Sequence, residues 1–354
     1  MPRVLHVIDA ATSADMLQQL AMLVGEGDAI ASVGRPPEGA DFDVPVTAVH
    51  SPLGSAALCA LRMGELARSA EIVHSWSPAG RRAGEVIARR FGPGHVASVP
   101  CCPRPERLAR MVRRLKQCRL TLTLPTRICR QTAVRAGAPE SSVHVLPPPA
   151  AAIDEPESRR RGTRQALGIG DEVRIMIAPA EMRRDAGHRY ASWAHAIVRQ
   201  IHEDLVLLLP GGGPLERSVR FFAETTSYGC EEIFSGSRFP LPDALAAADL
   251  AVFFQQRDVG VAALVAAMAG GLPIAAAATP DVAECTADGE AALLIPRSDP
   301  GAASAAVLQL LEDATLAKSL AAAARTRAAE QIHPALCRAR LEEVYSAALR
   351  QNGP

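Results

Sequence analysis

Short apolar runs alternate with longer stretches of helical periodicity along the whole chain. In the first half the runs fall at residues 4–9, 29–33, 46–50, 72–76, 95–99, 120–124 and 143–146, and segments such as 14–24 and 80–90 between them carry helical spacing. The second half repeats the rhythm at 173–177, 205–209, 232–234, 250–254, 273–276 and 292–295. Runs that are apolar on both faces and separated by helices predict parallel strands covered on both sides. Right-handed crossovers then give an α/β protein with two doubly wound, Rossmann-like sheets.

Proline and charge mark the break between the halves. Pro147-Pro148-Pro149 precedes a polar stretch that ends in Arg159-Arg160-Arg161, and residues 147–162 read as a linker. The expected organisation is a first domain at 1–150, a second at 163–333 and a terminal helix within 334–354. That helix places Cys337, Leu341, Val344 and Ala348 on one face. Two such domains would face a central cleft, and ligands of open α/β sheets sit at the carboxyl ends of the strands.

Composition narrows the function classes. The 354 residues are 48 % hydrophobic and 21 % charged with zero net charge, so no general attraction to nucleic acid is expected. Eight cysteines lie at 59, 101, 102, 118, 129, 230, 285 and 337 without metal-ligand spacing, which reads as reduced thiols and no metal. Strand pattern begins by residue 3, leaving no room for a signal peptide, and no apolar run reaches the ~20 residues that span a bilayer. A cytoplasmic location is expected. Asp41-Phe42-Asp43 is formally a D-x-D but lies in a proline-flanked loop, and no metal is assigned to it. There is no Walker A motif and no G-x-G-x-x-G after the first strand.

The chemistry-bearing motifs come in a fixed order: TRQALGIGDEVRIMIAPAEMRRDAGHRY (163–190), LLLPGGGPLE (207–216), FFQQRDVGVAALVAAMAGG (253–271) and DGEAALLIPRSDP (288–300). In the second, Gly211, Gly212 and Gly213 allow a tight turn at a strand end, and Pro214 suits the first turn of a helix. The order resembles the donor half of family-4-type (group 1) retaining glycosyltransferases of GT-B fold. The likeness covers 163–349 well and the first domain weakly.

The resemblance implies transfer of a sugar from a UDP- or GDP-linked donor to a glycan, lipid or small-molecule acceptor, with no cofactor and no metal. It also marks departures. Where active relatives place an arginine and a lysine on the donor diphosphate, this chain has Glu181 and Ala186. Arg183 and Arg184 are the nearby cations, and Arg grips phosphate in a bidentate way. Of the relatives' two glutamates, the first falls on Asp258, which keeps a carboxylate for the sugar, and the second on Ala266; Gly260 lies in the turn between. A histidine position near the donor sugar falls on Pro100.

In the first domain Thr12 and Ser13 stand where relatives carry a glycine turn. His74 near a strand end reads as structural, with Ser75 and Ser77 directed toward the cleft region. The basic helix at 104–119 suits an anionic lipid surface or an acidic acceptor, or else is a solvated helix with its apolar side in the core. Two functions therefore stand: a glycosyltransferase with a rewired donor site, its diphosphate held by Arg183 or Arg184 and its sugar by Asp258, and a non-catalytic relative that acts as a partner, regulatory or carbohydrate-binding protein.

Overall fold

Strands with branched or small apolar side chains on both faces need cover on both faces, and helices supply it here. The computed structural model describes residues 2–37, 42–51, 55–226, 232–236 and 238–352. Asp41 of the D-x-D and Cys230 lie outside them. The chain forms two units. One holds residues 2–149 and the C-terminal helix; the other is Ala150–His333.

The first unit runs β1 (Val4–Asp9), α1 (Ala14–Leu23), β2 (Ala29–Val33), β3 (Val46–Val49), α2 (Ala56–Arg62), α3 (Gly64–Ser69), β4 (Ile72–Ser75) and α4 (Pro78–Phe91). It continues with β5 (Gly94–Ser98), α5 (Pro105–Cys118), β6 (Leu120–Leu124), α6 (Arg127–Arg135) and β7 (Val143–Val145). The second runs α7 (Pro156–Leu167), β8 (Arg174–Ile177), α8 (His188–Val198), β9 (Leu205–Pro210), α9 (Glu216–Thr226), β10 (Glu232–Gly236) and α10 (Leu241–Ala247). After it come β11 (Leu250–Phe253), α11 (Ala262–Gly270), β12 (Ile274–Ala277), α12 (Pro280–Cys285), β13 (Leu293–Ile295), α13 (Pro300–Glu312) and α14 (Ala314–Gln331). The terminal helix α15 (Pro334–Asn352) belongs to the first unit.

Among the described residues seven strands form one sheet in the order β3-β2-β1-β4-β5-β6-β7, and six form the other in the order β10-β9-β8-β11-β12-β13. Every pairing between these strands is parallel. Both orders reverse once, between β1 and β4 and between β8 and β11. Loops diverge at such a reversal and leave a crevice at the carboxyl ends of the two strands. In each unit that reversal is the position at which open α/β sheets take ligands.

The stretch read as a linker is helical from Pro156. Two arginines of the basic run fasten α7 to α10 and the turn after it, while Arg161 stays exposed. Arg160 donates to the carbonyls of Ala247 and Ala248 at 3.1 Å and to Asp249 at 2.7 Å. Arg159 bonds Asp243. Arg164, 1 % exposed, donates to the carbonyls of Ala247, Gly170 and Val173. Arg160 and Arg164 satisfy carbonyls at the end of α10 that the helix itself leaves open.

In the first unit the α15 face formed by Cys337, Leu341, Val344 and Ala348 is buried. Tyr345 of the same helix bonds His74 Nδ1 at 2.8 Å, and His74 Nε2 bonds Ser98 Oγ at 2.8 Å. Burial holds the His74 imidazole well below its usual pKa, so it is neutral. Trp76 stacks on it at 4.3 Å and donates from Nε1 to His6 Nδ1. His74 therefore ties α15 to the sheet.

Ser75 and Ser77 point inward. Ser75 bonds His95 and the Gly80 carbonyl, while Ser77 donates to Asp9 at 2.6 Å and accepts from Gly80 N–H at the start of α4. Thr12 accepts from Asp9 N–H. On α5, Leu108, Met111, Val112 and Leu115 are buried in the core, so its apolar side offers nothing to a bilayer. Among the described residues no helix is long and apolar enough to cross a membrane.

Candidate functional site

The reversal between β8 and β11 brings the loops at 178–187 and 254–261 side by side. Gln256 N–H donates to the Asp185 carbonyl at 2.8 Å. Gly187 has φ +89°, and a Cβ there would lie 2.1 Å from the Phe254 carbonyl oxygen. The two loops touch backbone to backbone, which only glycine permits.

The glycine turn after β9 joins them from the other side. Met182 N–H donates to the Gly212 carbonyl, and Leu215 N–H to the Met182 carbonyl, both at 2.9 Å. Gly213, at φ +152°, would put a Cβ 2.5 Å from the Met182 carbonyl oxygen. Gly211 N–H bonds the Gly236 carbonyl at 2.7 Å. Gly211, Gly212, Gly213 and the 181–187 loop thus form one rim.

Arg183 reaches across the crevice. Its guanidinium bonds the Val259 carbonyl, next to Gly260, and lies 3.7 Å from the Glu181 carboxylate. Arg183 and Gly260 are therefore brought together, and Glu181 is a partner of that arginine. Arg184 is exposed on the same rim, whereas Ala186 is buried and faces the core. Asp258 Oδ1 accepts from Asp281 N–H at 3.1 Å, which ties its loop to the segment after β12. Ala266 sits on α11 beside buried neighbours.

The loop after β13 also arrives here. Arg297 donates to the Gln256 carbonyl at 3.3 Å, and Ser298 Oγ donates to the Gln256 side-chain oxygen. Arg257 and Arg297 are exposed cations of this edge that motif reading passed over. The signal for Arg297 was present: it is the first charged residue after the last strand, in IPRSDP.

His188 opens α8 at the base of the crevice. Its Nε2 donates to the Ala180 carbonyl at 2.9 Å, which fixes the tautomer, and its Nδ1 is buried without a hydrogen-bond partner. Burial pulls its pKa down to about 4, so it is neutral near pH 7. Among the described residues no three His, Cys, Asp or Glu side chains are grouped to hold a metal. The rim therefore presents guanidiniums, glycine backbone and a single-carboxylate turn to a ligand at the carboxyl ends of β8, β9 and β11. That set suits a phosphorylated ligand.

Two parallel-sheet α/β units of this order define the GT-B class of fold. Residues 159–327 match the family model of glycosyl transferases group 1. HepE from Anabaena, in complex with UDP and glucose, superposes with a TM-score of 0.84 at 15 % identity, over 98 % of this chain and 100 % of that one. A glycosyltransferase from Rickettsia africae gives 0.76 at 15 % identity, over 99 % of each chain. Sucrose-phosphate synthase from Thermosynechococcus elongatus gives 0.74 at 15 % identity, over 97 % and 98 %. These likenesses establish the fold. None of the curated proteins matches the sequence.

Proposed function

We propose that the protein is a glycosyltransferase that uses a UDP- or GDP-linked sugar, taking the donor into the β8–β11 crevice. The observation that carries this is Arg183: a guanidinium laid across the crevice, beside Gly260 and the glycine rim, in the segment that matches the group 1 family. The UDP bound to HepE supports the donor class.

In the reaction the acceptor hydroxyl oxygen bonds to the anomeric carbon as the bond from that carbon to the diphosphate oxygen breaks, and the hydroxyl proton passes to the leaving diphosphate. The leaving diphosphate gains charge. Arg183, Arg184 and Arg297 stand at the rim to neutralise it. Asp258, fixed by Asp281 N–H through one oxygen, keeps the other for a sugar hydroxyl. Relatives of this type retain the anomeric configuration, and the same outcome is proposed here. The expected location is cytoplasmic.

Converting Arg183 and Arg184 together to Gln tests the assignment. Release of nucleoside diphosphate from UDP- and GDP-hexoses is expected to slow by about 10²-fold or more, the scale for donors aimed at developing charge. Asp258→Asn is expected to slow it as well. Unchanged turnover in the double variant removes the arginines from the site. Absence of turnover in the parent chain, with the nucleotide still bound, favours the non-catalytic relative.

A further inference from the structure

In the first unit a cluster of arginines stands outside the donor crevice. Arg81 and Arg82 lie in the first turns of α4, and Arg107 and Arg114 lie on α5. Arg114 Nη1 bonds both oxygens of Glu85, at 2.8 and 2.9 Å, and so pins α5 against α4. Arg81 lies within electrostatic reach of both members of this bridge. Its Nε is buried and has no hydrogen-bond partner.

Its surroundings are of its own sign. Burial, and then Arg107, lower the Arg81 pKa; Glu85 opposes them, and Arg114 and Arg82 add to the depression. Below it lies His95 of β5, which is 1 % exposed. Burial, and then the Arg81 charge, push the His95 pKa down to about 3. The imidazole is therefore neutral and cannot balance the guanidinium. Its Nε2 is taken by Ser75 Oγ at 2.9 Å, and its Nδ1 is buried without a partner.

Arg114 thus takes up Glu85, while Arg81 feels Arg107, Arg114 and Arg82 as like charges. Self-repulsion and desolvation make such a group unfavourable until an anion joins it. The planar donor forks of arginine match phosphate oxygens. Position agrees. Helix α4 follows β4 and α5 follows the neighbouring β5, so the first turns of both helices lie at the carboxyl edge of the sheet, where α/β units take ligands. The amides at the start of α4 are already used: Gly80 N–H bonds Ser77 and Ala79 N–H bonds Asp9. The arginines are what remains for the ligand.

We propose that the first turns of α4 and α5 form a phosphate-binding site through Arg81, Arg82 and Arg107, and that the acceptor of the transfer carries the phosphate. The second half rests on the transferase reading above; the site itself does not. Hydrogen bonds and charge from the three guanidiniums hold the phosphate, and Glu85 limits the affinity by opposing it.

The full-length chain is titrated with inorganic phosphate at constant ionic strength and followed by thermal unfolding. Saturable stabilisation is expected. Arg107→Gln, an exposed position that can be changed without unfolding the chain, is expected to raise the midpoint about tenfold. Glu85→Gln is expected to lower it a few-fold, which a merely structural ion pair would not do. Arg183→Gln is expected to leave it alone. No stabilisation beyond a chloride control overturns the site, as does a midpoint that Arg107→Gln and Glu85→Gln do not move. Loss of the effect in Arg183→Gln also overturns it, by placing the ion in the donor crevice.

The donor reading fails separately, through nucleotide titrations that Arg107→Gln does not touch. Two further arms locate the acceptor: glucose 1-phosphate in solution, and phosphatidic acid in phosphatidylcholine vesicles. Binding of the first at the Arg107-dependent site makes the acceptor soluble, and binding of the vesicles alone makes it lipid-borne. Binding of neither refutes the phosphate-bearing acceptor.

Discussion

Gly187→Ala is expected to unfold the second unit or lower its stability by more than about 4 kcal/mol, at the extreme of single substitutions. Two effects add. A residue with a Cβ at φ +89° carries about 1–2 kcal/mol of backbone strain. Steric contact costs more: the new Cβ would lie 2.1 Å from the Phe254 oxygen, 2.2 Å from its carbonyl carbon and 2.7 Å from Gln255 N. All three are backbone atoms at the end of a buried strand, and no rotamer change relieves them. The loops would separate and the Gln256–Asp185 hydrogen bond would break, so donor binding would fail with the fold. Gly168→Ala is the control: φ is +72° there, but nothing lies within 4 Å of the added Cβ. It is expected to cost about 1 kcal/mol. Each unit contains one tryptophan, Trp76 or Trp193, so fluorescence during urea unfolding in a Trp76→Phe background reads the second unit alone. Equal stability of the two glycine variants would refute the close approach of the loops.

Arg164→Met is expected to destabilise the second unit by about 3–5 kcal/mol, the scale for breaking a buried charge pair from one side. The methionine fills much of the volume but donates nothing. The carbonyls of Ala247, Gly170 and Val173 lose a donor, and Asp249 loses one of its two arginines. Asp249 also accepts from Ile175 N–H at 2.7 Å, at the start of β8, so the disturbance reaches the strand that carries the donor loop. Chemical denaturation of the two proteins measures the difference. Arg161→Met, three residues earlier on the exposed side of α7, is expected to change stability by less than about 0.5 kcal/mol. If the two variants behave alike, α7 is not anchored through Arg164.

What sequence pattern shows and hides is plain in these residues. The strands at 4–9, 29–33 and 120–124 end where the apolar runs end, because parallel strands buried on both faces leave no ambiguity of period. The tight turn at Gly211, Gly212 and Gly213 was legible too, since three glycines at a strand end let the backbone reverse, although many α/β turns share that pattern. Arg159 and Arg160 of the basic run misled, because they have carbonyl and carboxylate partners more than 80 positions away. Charge in a sequence reads as solvated until its partner is known. Arg183 and Arg184 could be named from the motif, but only folding shows that Val259 and Glu181 hold the first while the second stays exposed. The Arg81 cluster was invisible for the same reason: only the fold brings Arg114 of α5 onto Glu85 of α4 and sets Arg81 among like charges.

Calorimetric titration of the chain with UDP, GDP and their hexose conjugates tests the central claim most directly. One nucleotide series is expected to bind with a single site per chain. At 100 times Kd it is expected to stabilise the second unit by about 2.7 kcal/mol, with Arg183→Gln weakening the affinity. No heat and no thermal shift with any of them would contradict the donor crevice, whatever the likeness of the fold.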